Sequence, residues 1–551
     1  MLTRDENTLI GTDGDDEIFF DDIVDEEGSS YPYVVVHGMG GNDTIRTFSE
    51  YFGPTLSLFG GEGNDIINGG GSSGVLSGDA GDDTISGGSD YSDTTLFGGA
   101  GNDTITLYGK VVAYGDEGDD TVFVNQSWRA TVYGGEGTDS VVMGGNGPFH
   151  VLDSIEHLVI FQGVSVRGAT QQSITQYSAY QDKAVRLNFL DAANVTSALF
   201  AANFSGTIVG SHHDDILDFS MSTHDVDLTG GNGNDILKGS SAGNKLLGLN
   251  GDDTIFGGAG DDAIEFGRGK DTAWGGSGND RFGYTDYNDP NIKAYGGTGD
   301  DVFFSSSLGA EAEIVGGSGR DIMYFGGSIA AGARIDVDLL MVEDTIVAAP
   351  ETLNGIKEIA QRRYEQLTIT LSEGGFYKPK RIEDGGWLLN GSKENDIVDL
   401  SESHAQRGWS NVILGKGNDT FVGTGYSDSV GGGAGNDRLS AGGGDDYCYG
   451  AGGKDILIDG AGSDTLSGGN DADTFVFHGD AGRDQIVYFR PLTDKIDLSD
   501  VSAITSFKDM IDNHVTMSDS GYRLLIKLGK DSDIDLGTLK TSELHESQFI
   551  F

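Results

Sequence analysis

Residues 432–458 read GGAGNDRLS, AGGGDDYCY and GAGGKDILI, one nine-residue phrase written three times. It opens on small residues, carries Asp at its sixth place and an apolar residue at its eighth. Glycines at places one, two and four let backbone approach backbone with no side chain between. Places seven to nine, such as TIT after Asp103 or TVF after Asp120, alternate as a short strand with its middle residue inward. Turn, strand, turn, strand predicts a flattened right-handed coil of about 18 residues, with strands stacking roughly 4.8 Å apart. Ile45, Ile67, Ile85, Ile105, Val122 and Val141 would form one inner row.

Working outward, the sixth-place residues keep time. Asp235, Asn244, Asp253, Asp262, Asp271 and Asp280 sit nine apart, and so do Asp419, Asp428, Asp437, Asp446, Asp455, Asp464 and Asp473. Asp301 and Asp321 carry the same place at wider spacing. In the first third, Asp43, Asp65, Asp83, Asp103, Asp120 and Asp139 lie about two periods apart. Alternate turns there have lost the acid, as at Gly74, so this region keeps an acidic turn on one edge only. A longer phrase opens each block of nonapeptides: GTDGDDEIFFDD at 11–22, GSHHDDILDFSM at 210–221 and GSKENDIVDLSE at 391–402. Two glycine-poorer spacers, about 150–205 and 331–388, separate the blocks. Within them HLVIFQGVSVRG and EQLTITLSE read as strands and VTSALFAANF as a short helix. The division is three modules, 1–205, 206–388 and 389–488, and a tail of different composition, 489–551.

The totals agree with a repeat array. The chain has 551 residues, 90 of them Gly and only 7 Pro, with no Gly-X-Y period. Acidic residues outnumber basic ones by 88 to 34, a formal charge of −54, which excludes nucleic acid and anionic membrane as partners by charge. Cys448 is the only cysteine, which rules out an internal disulfide framework, and it fills an apolar eighth place as a small buried hydrophobe. No stretch is apolar enough to span a membrane, and MLTRDENTLIGTDGDDE lacks the apolar core of a Sec leader.

Stacking sets sixth-place carboxylates of successive coils above one another. At about 5 Å each neighbouring pair repels by roughly 0.8 kcal/mol at a dielectric of 80 and by over ~3 kcal/mol at 20. A thin row of Ile and Val does not outweigh a column of such pairs. A hard divalent cation between turns reverses the sign, and carboxylates with freed turn carbonyls offer six or so oxygens, which suits Ca²⁺ better than Mg²⁺ or Zn²⁺. The expected cofactor is multiple Ca²⁺. The candidate carboxylates are Asp43, Asp65, Asp83, Asp103, Asp120, Asp139, Asp235, Asp253, Asp262, Asp271, Asp280, Asp301, Asp321, Asp419, Asp437, Asp446, Asp455, Asp464 and Asp473.

The phrase resembles the GGxGxDxUx nonapeptide of RTX proteins over most of 9–488 outside the spacers. The resemblance implies an all-β fold of stacked parallel β-roll modules with short spacers and a small C-terminal cap. It also implies that each ion is held between turns one coil apart. The first turn would give the carbonyls of places two and four and its Asp, the second those of places one and three and its Asp. On that pattern Gly61, Gly63 and Asp65 face Gly78, Ala80 and Asp83. Gly433, Gly435 and Asp437 face Gly450, Gly452 and Asp455, while Gly442, Gly444 and Asp446 face Asp459, Ala461 and Asp464. Asn244 removes the acid from its turn. His213 and Glu394 replace the fourth-place Gly in opening phrases, where capping is expected in place of binding. The 22 residues from Asp43 to Asp65 require a bulged strand. RDQIVYFRPLTDKIDLSDVSAI, SFKDMIDNHV, GYRLLIKLG and the terminal ESQFIF are similar to the C-terminal region of serralysin-type RTX exoproteins, with Ser506 as a helix N-cap. That likeness implies an uncleaved signal for a type I secretion exporter, although Gln548 stands beside Phe549-Ile550-Phe551 and the acid, Glu546, lies two residues earlier.

Catalytic patterns are scarce. His545-Glu546 has Phe549 where a second zinc-binding His belongs, and GGSGN at 275–279 and GGSGR at 316–320 end in the wrong residue for a nucleophile elbow. His212 and His213 are adjacent and point apart on an extended chain. Arg362-Arg363 and Lys378, Lys380 and Arg381 read as solvated surface. With repeats starting by Gly11, no enzyme is expected ahead of them. The expectation is a secreted, non-enzymatic, calcium-binding protein that folds outside the cell in a structural, matrix or adhesive role, with cell-surface or matrix polysaccharide as a partner. The alternative is an extracellular polysaccharide-modifying enzyme, or its accessory module, built on the same scaffold.

Overall fold

The computed structural model describes residues 3–5, 7–20, 33–47, 55–125, 130–144, 151–160, 164–166, 174, 176–179, 185–189, 193–200, 204–283, 290–362, 366–382, 387–403, 410–479 and 482–551. They form two compact units, Met1–Ala273 and Trp274–Phe551. In both, strands consecutive in sequence go mostly to alternate sheets, and each pairs in parallel with the strand one coil away.

In the first unit one sheet stacks Tyr33–Gly40, Thr55–Glu62, Gly74–Ala80, Thr94–Ala100, Val111–Glu117 and Thr131–Glu136. Facing it are Thr44–Thr47, Ile66–Asn68, Thr84–Gly87, Thr104–Tyr108, Thr121–Asn125 and Ser140–Gly144. The eighth-place row lies where the phrase puts it. Ile45 sits opposite Ile67, then Ile85, Ile105, Val122 and Val141 follow in register, all with no exposed surface. The opposing wall is Leu58, Leu76, Leu96, Ala113 and Val132, also in register and buried. Further inward residues flank each row, Leu107, Val124 and Met143 on one side and Val34, Leu56 and Val111 on the other, so the core is a narrow band between the two sheets. Outward-facing rings keep the same spacing: Phe97, Tyr114 and Tyr133 stack with centroids 4.9 and 4.8 Å apart. Gly206–Val209, Val226–Asn232, Lys245–Asn250 and Ala263–Arg268 continue the pattern, opposite Ile216–Asp218, Ile236–Lys238 and Thr254–Ala259.

The longer Asp43–Asp65 interval is not accommodated by a bulge. Tyr33–Gly40 pairs with Thr55–Glu62, and Thr44–Thr47 with Ile66–Asn68, without a register shift, so the extra residues lie outside these strand pairs. Among its described residues VTSALFAANF forms no α-helix: Val195 and Thr196 belong to a strand, Asn194–Thr196, and Ser197–Leu199 forms a single 3₁₀ turn, while 201–203 fall outside the described residues. Three residues cannot close an α-helical turn, and Val195 is drawn into pairing with Leu217.

In the second unit strand pairing runs through 331–388. Ile322–Ile329 pairs with Leu339–Ala348, which pairs with Glu358–Gln361 and Leu367–Leu371, then Trp387–Asn390 and Ser410–Lys416. Bases of this stretch are taken up by acids of neighbouring coils: Arg362 by Glu343, Lys378 by Asp399 and Glu402, Arg381 by Glu358. Arg363 lies outside the described residues. Regular nonapeptides then resume in Asp428–Ala434, Tyr447–Gly452 and Thr465–Asn470, facing Arg438–Gly443, Ile456–Ala461 and Thr474–Val476. Cys448 is fully buried between Val430 and Leu466, as its eighth place demands. The tail adds Asp533–Asp535 beside Arg483–Ile486 and Phe549–Ile550 beside Lys495–Asp497, closing both sheet edges that would otherwise offer unpaired backbone. Ser506 caps Phe507–Asp509 by accepting the Asp509 N–H at 3.2 Å, and the chain continues in a π-type turn, Met510–His514.

Many second-place residues hold the left-handed backbone, and the chain does not always supply Gly there. Met39, Asp79, Asp116, Leu249 and Ala451 hold φ values of 91, 74, 76, 80 and 81°. Leu249 is 42% exposed and gives up little burial. Replacing it by Gly relieves that strain, and Leu249→Gly is expected to raise the unfolding free energy in calcium by about 0.5–1 kcal/mol. Denaturant titration of the two proteins checks this; a less stable variant contradicts it.

Candidate metal centre

One rung shows the whole device. The backbone N–H of Asp65 donates to Asp83 Oδ1 of the next coil at 2.7 Å. The same bond joins Asp43 to Asp65, Asp83 to Asp103, Asp103 to Asp120 and Asp120 to Asp139, at 2.7–2.9 Å. Each carboxylate thus spends one oxygen on the backbone of the coil before it. The other oxygen, Oδ2, turns back toward its own first-place glycine. A β-carbon placed on Gly60 would lie 2.1 Å from Asp65 Oδ2 and 2.6 Å from the Gly78 carbonyl oxygen. Only the absent side chain leaves these oxygens facing a common space. On Gly450 the equivalent distances are 2.3 Å to Asp455 Oδ2 and 2.7 Å to the Gly468 carbonyl.

The ladders recur. Asp215, Asp235, Asp253 and Asp271 form one in the first unit, with Asn244 and Asp262 on the other edge. The second unit has Asp280, Asp301, Asp321 and Asp338; then Asp396, Asp419, Asp437, Asp455, Asp473 and Asp494; then Asp428, Asp446, Asp464 and Asp484. Every sixth-place Asp singled out from the sequence is buried. The Oδ2 atoms of Asp43, Asp65, Asp83, Asp103, Asp120, Asp139, Asp235, Asp253, Asp301, Asp419, Asp437, Asp446, Asp455 and Asp464 have no hydrogen-bond donor among the described residues.

The paired turns expected to share an ion do meet. The carbonyls of Gly63, Gly435 and Gly444 point at the next coil, where a β-carbon on Gly81, Gly453 or Gly462 would stand 2.0, 1.8 or 1.9 Å away. The third-place carbonyls of Ala80, Gly452 and Ala461 accept the N–H groups of Gly63, Gly435 and Gly444 at 2.7–2.8 Å and keep a second lone pair. Asp459 was singled out for its first-place carbonyl. Its carboxylate is committed elsewhere, to the His478 backbone N–H at 2.9 Å and the ring Nδ1 at 2.6 Å.

Opening turns are capped locally. Ser211 donates its N–H to Asp215 Oδ2 at 2.5 Å and its hydroxyl at 3.0 Å; Ser392 does the same for Asp396, and Thr12 for Asp16. Ser240 likewise satisfies Asn244. The agent is a hydroxyl residue at place two, an Asx-type local bond, and not His213 or Glu394 at place four. His212 and His213 are exposed.

Two groups of functional residues escaped the sequence reading. Asp484 carries the same unpartnered, buried Oδ2, and the phrase GDAGRD before it was a readable signal. Fifth-place side chains form an outer ladder in the opposite sense: Asn42 accepts the Asn64 N–H at 2.7 Å, Asn64 that of Asp82, and Asp82 that of Asn102. The frequency of Asn and Asp at that place, as in Asn42, Asn64, Asp82, Asn102 and Asp119, is its mark in the sequence.

The electrostatics follow. Burial pushes the carboxyls of Asp65, Asp103 and Asp464 up to about 6, those of Asp83, Asp120, Asp235, Asp253, Asp301, Asp419, Asp455 and Asp484 to about 7, and that of Asp446 to about 8. The backbone bond to Oδ1 opposes this, and neighbouring ladder carboxylates reinforce it in most of them. Among the described residues no three His, Cys, Asp or Glu side chains cluster for a metal. The available set is two carboxylates and turn carbonyls, all hard oxygen, which fits Ca²⁺ and not thiolate- or imidazole-seeking ions.

Carboxyls raised above their unfolded value of ~3.9 hold more protons folded than unfolded, so the metal-free fold is favoured by acid and weakened as pH climbs through 6 to 8. In chelator, strand content by circular dichroism is expected to be higher at pH 5.5 than at pH 8. Equal or lower content at pH 5.5 contradicts the arrangement.

A family model described as the RTX calcium-binding nonapeptide repeat (four copies) matches residues 59–92, 89–126, 229–264, 267–283, 414–448 and 449–486. Among solved structures the chain is similar to the AlgE6R3 subunit from the Azotobacter vinelandii mannuronan C5-epimerase, with 31% identity over 24% of this chain and 81% of that one and a TM-score of 0.20. It is also similar to the extracellular lipase LipA from Serratia marcescens, with 15% identity over 40% of this chain and 45% of the lipase and a TM-score of 0.15. No curated protein matches it. The repeats match segment by segment in both units: the chain carries several copies of the RTX calcium-binding nonapeptide repeat, a repeat that binds Ca²⁺ at multiple sites.

Proposed function

We propose that this chain is a secreted structural or adhesive protein whose coils are held together by Ca²⁺ and which folds when it meets millimolar calcium outside the cell. The observation that carries the reading is the row of buried Oδ2 atoms without donors, those of Asp43, Asp65, Asp83, Asp103, Asp120, Asp253, Asp301, Asp437 and Asp455 lying beside a turn carbonyl of the next coil. Asp65 with Asp83, Asp437 with Asp455 and Asp446 with Asp464 would hold ions together with the carbonyls of the glycine turns between them. The bound ion supplies the positive charge that the column lacks. The chain's own residues do the rest: Oδ1 fixes the carboxylate against the preceding backbone, first-place Gly leaves room, and eighth-place residues set the spacing. Sites of this oxygen-only kind in extracellular modules work in the ~0.1–1 mM range.

RTX repeat proteins are typically secreted, and none of the described helices is long and apolar enough to cross a membrane. A type I exporter is the proposed route, supported by the likeness of the tail to serralysin-type ends. An RTX roll is usually a non-catalytic scaffold, and the proposed outside role is contact with cell-surface or matrix polysaccharide.

Circular dichroism and scanning calorimetry of the full chain with EGTA and with added calcium test the folding reading. A large gain of strand signal and a higher melting temperature are expected with calcium, and a strand-rich spectrum indifferent to chelation rules it out. Retention on immobilised surface glycans in calcium, lost in EGTA, tests the adhesive role.

A further inference from the structure

The ladder through Asp419, Asp437 and Asp455 does not end as it runs. At Asp473 the next turn is FRPLTD, in which Arg490 stands at the second place that the phrase reserves for Gly. Asp494 is the sixth-place acid of that turn, and its Oδ1 accepts the Asp473 N–H at 3.3 Å. Arg490 Nη2 donates to Asp473 Oδ2 at 3.0 Å, to Asp494 Oδ1 at 3.0 Å and to the carbonyl oxygen of Asp471. These are the sixth-place carboxylate of one turn, that of the next, and the fourth-place carbonyl between them. They are the kinds of oxygen that the other rungs leave facing one another. Asp473 and Asp494 are almost wholly buried, at 0 and 2% side-chain exposure, so one guanidinium nitrogen stands between two desolvated carboxylates and reaches the carbonyl of the exposed Asp471.

We propose that Arg490 is a built-in terminal cation that fills the last interval of this ladder in place of Ca²⁺, so that the end of the roll closes without metal. The proposal rests on the calcium reading of the other rungs. A second ladder end in the same unit behaves alike. Asp321 donates its N–H to Asp338 Oδ2 at 2.9 Å, and the other oxygen of Asp338 is held by Lys357 Nζ. A fixed side-chain cation suits an end, because a charge attached to the chain cannot be removed by dilution or chelation. Guanidinium is the better choice where several oxygens converge, since its planar fork presents several donors at once.

The test counts calcium per chain by elemental analysis of the full-length protein dialysed against fixed free calcium. Arg490→Gly restores the phrase and opens the interval; it is expected to bind one more Ca²⁺ per chain than the parent, while Arg490→Lys keeps the parent's count. An Arg490→Gly protein with the same count as a calcium-loaded parent overturns the assignment. A parent that binds no calcium overturns the reading on which it rests. Should Arg490→Gly not fold, hydrogen exchange of the parent in EGTA decides. The amides of Thr474 and Lys495, which donate to Asp455 and Asp473, are expected to exchange more slowly than those of Arg438 and Ile456, which donate to Asp419 and Asp437 in the middle of the ladder. Equal rates overturn it.

Discussion

A column of buried carboxylates, one per coil and one strand spacing apart, is the constraint on which this structure depends. Its members are held by the backbone bond to Oδ1, so they cannot swing away into water. Burial and like charge both raise the free energy of the ionised column, as the shifted carboxyls of Asp83, Asp120 and Asp446 record. The core is a narrow band of apolar residues between two sheets, too thin to absorb that cost with margin. Whatever neutralises the column therefore decides whether coils stack. This couples cation binding to folding more directly than in a protein whose metal sits on a finished core.

The second oxygen is dealt with in three ways, and place two selects among them. Gly there, or a residue forced into the left-handed region, leaves Oδ2 in the open cradle beside the next coil's carbonyl. Ser or Thr there turns N–H and hydroxyl onto Oδ2, as in Thr12, Ser211 and Ser392, and the rung closes on itself. Arg490 there brings its own charge. Self-closing turns open the blocks, and the cationic one ends the ladder from Asp396 to Asp494, so the open rungs of that ladder lie between rungs that satisfy themselves. The strained φ values at Met39, Leu249 and Ala451 show that the turn geometry is imposed by the stack and not by the local residue.

Much of this was legible before any coordinates. The alternation of short strands, the inward eighth place from Ile45 to Val141, the one-edged first third and the burial of Cys448 all follow from period and residue type. Less legible was anything that depended on which atoms of successive coils touch. The 22-residue interval left strand pairing undisturbed because register is set by the turns on either side, not by the length between them. Capping of the opening turns was legible, but the residues that perform it, Ser211 and Ser392, were not, because a missing Gly draws more notice than a small hydroxyl. VTSALFAANF has helical composition, yet pairing of Val195 with Leu217 takes its first residues into a sheet.

The sequence by itself determined the repeat, the parallel stacking, the sign of the charge and the hard-oxygen chemistry, because each is a property of one nine-residue unit repeated in phase. Only the tertiary structure decided which Asp oxygen is spent on backbone, that the fifth-place side chains form a counter-running ladder, and that Asp473 meets a guanidinium. Those are contacts between residues about two periods apart, and their partners are chosen by the stacking of coils, which no single phrase contains.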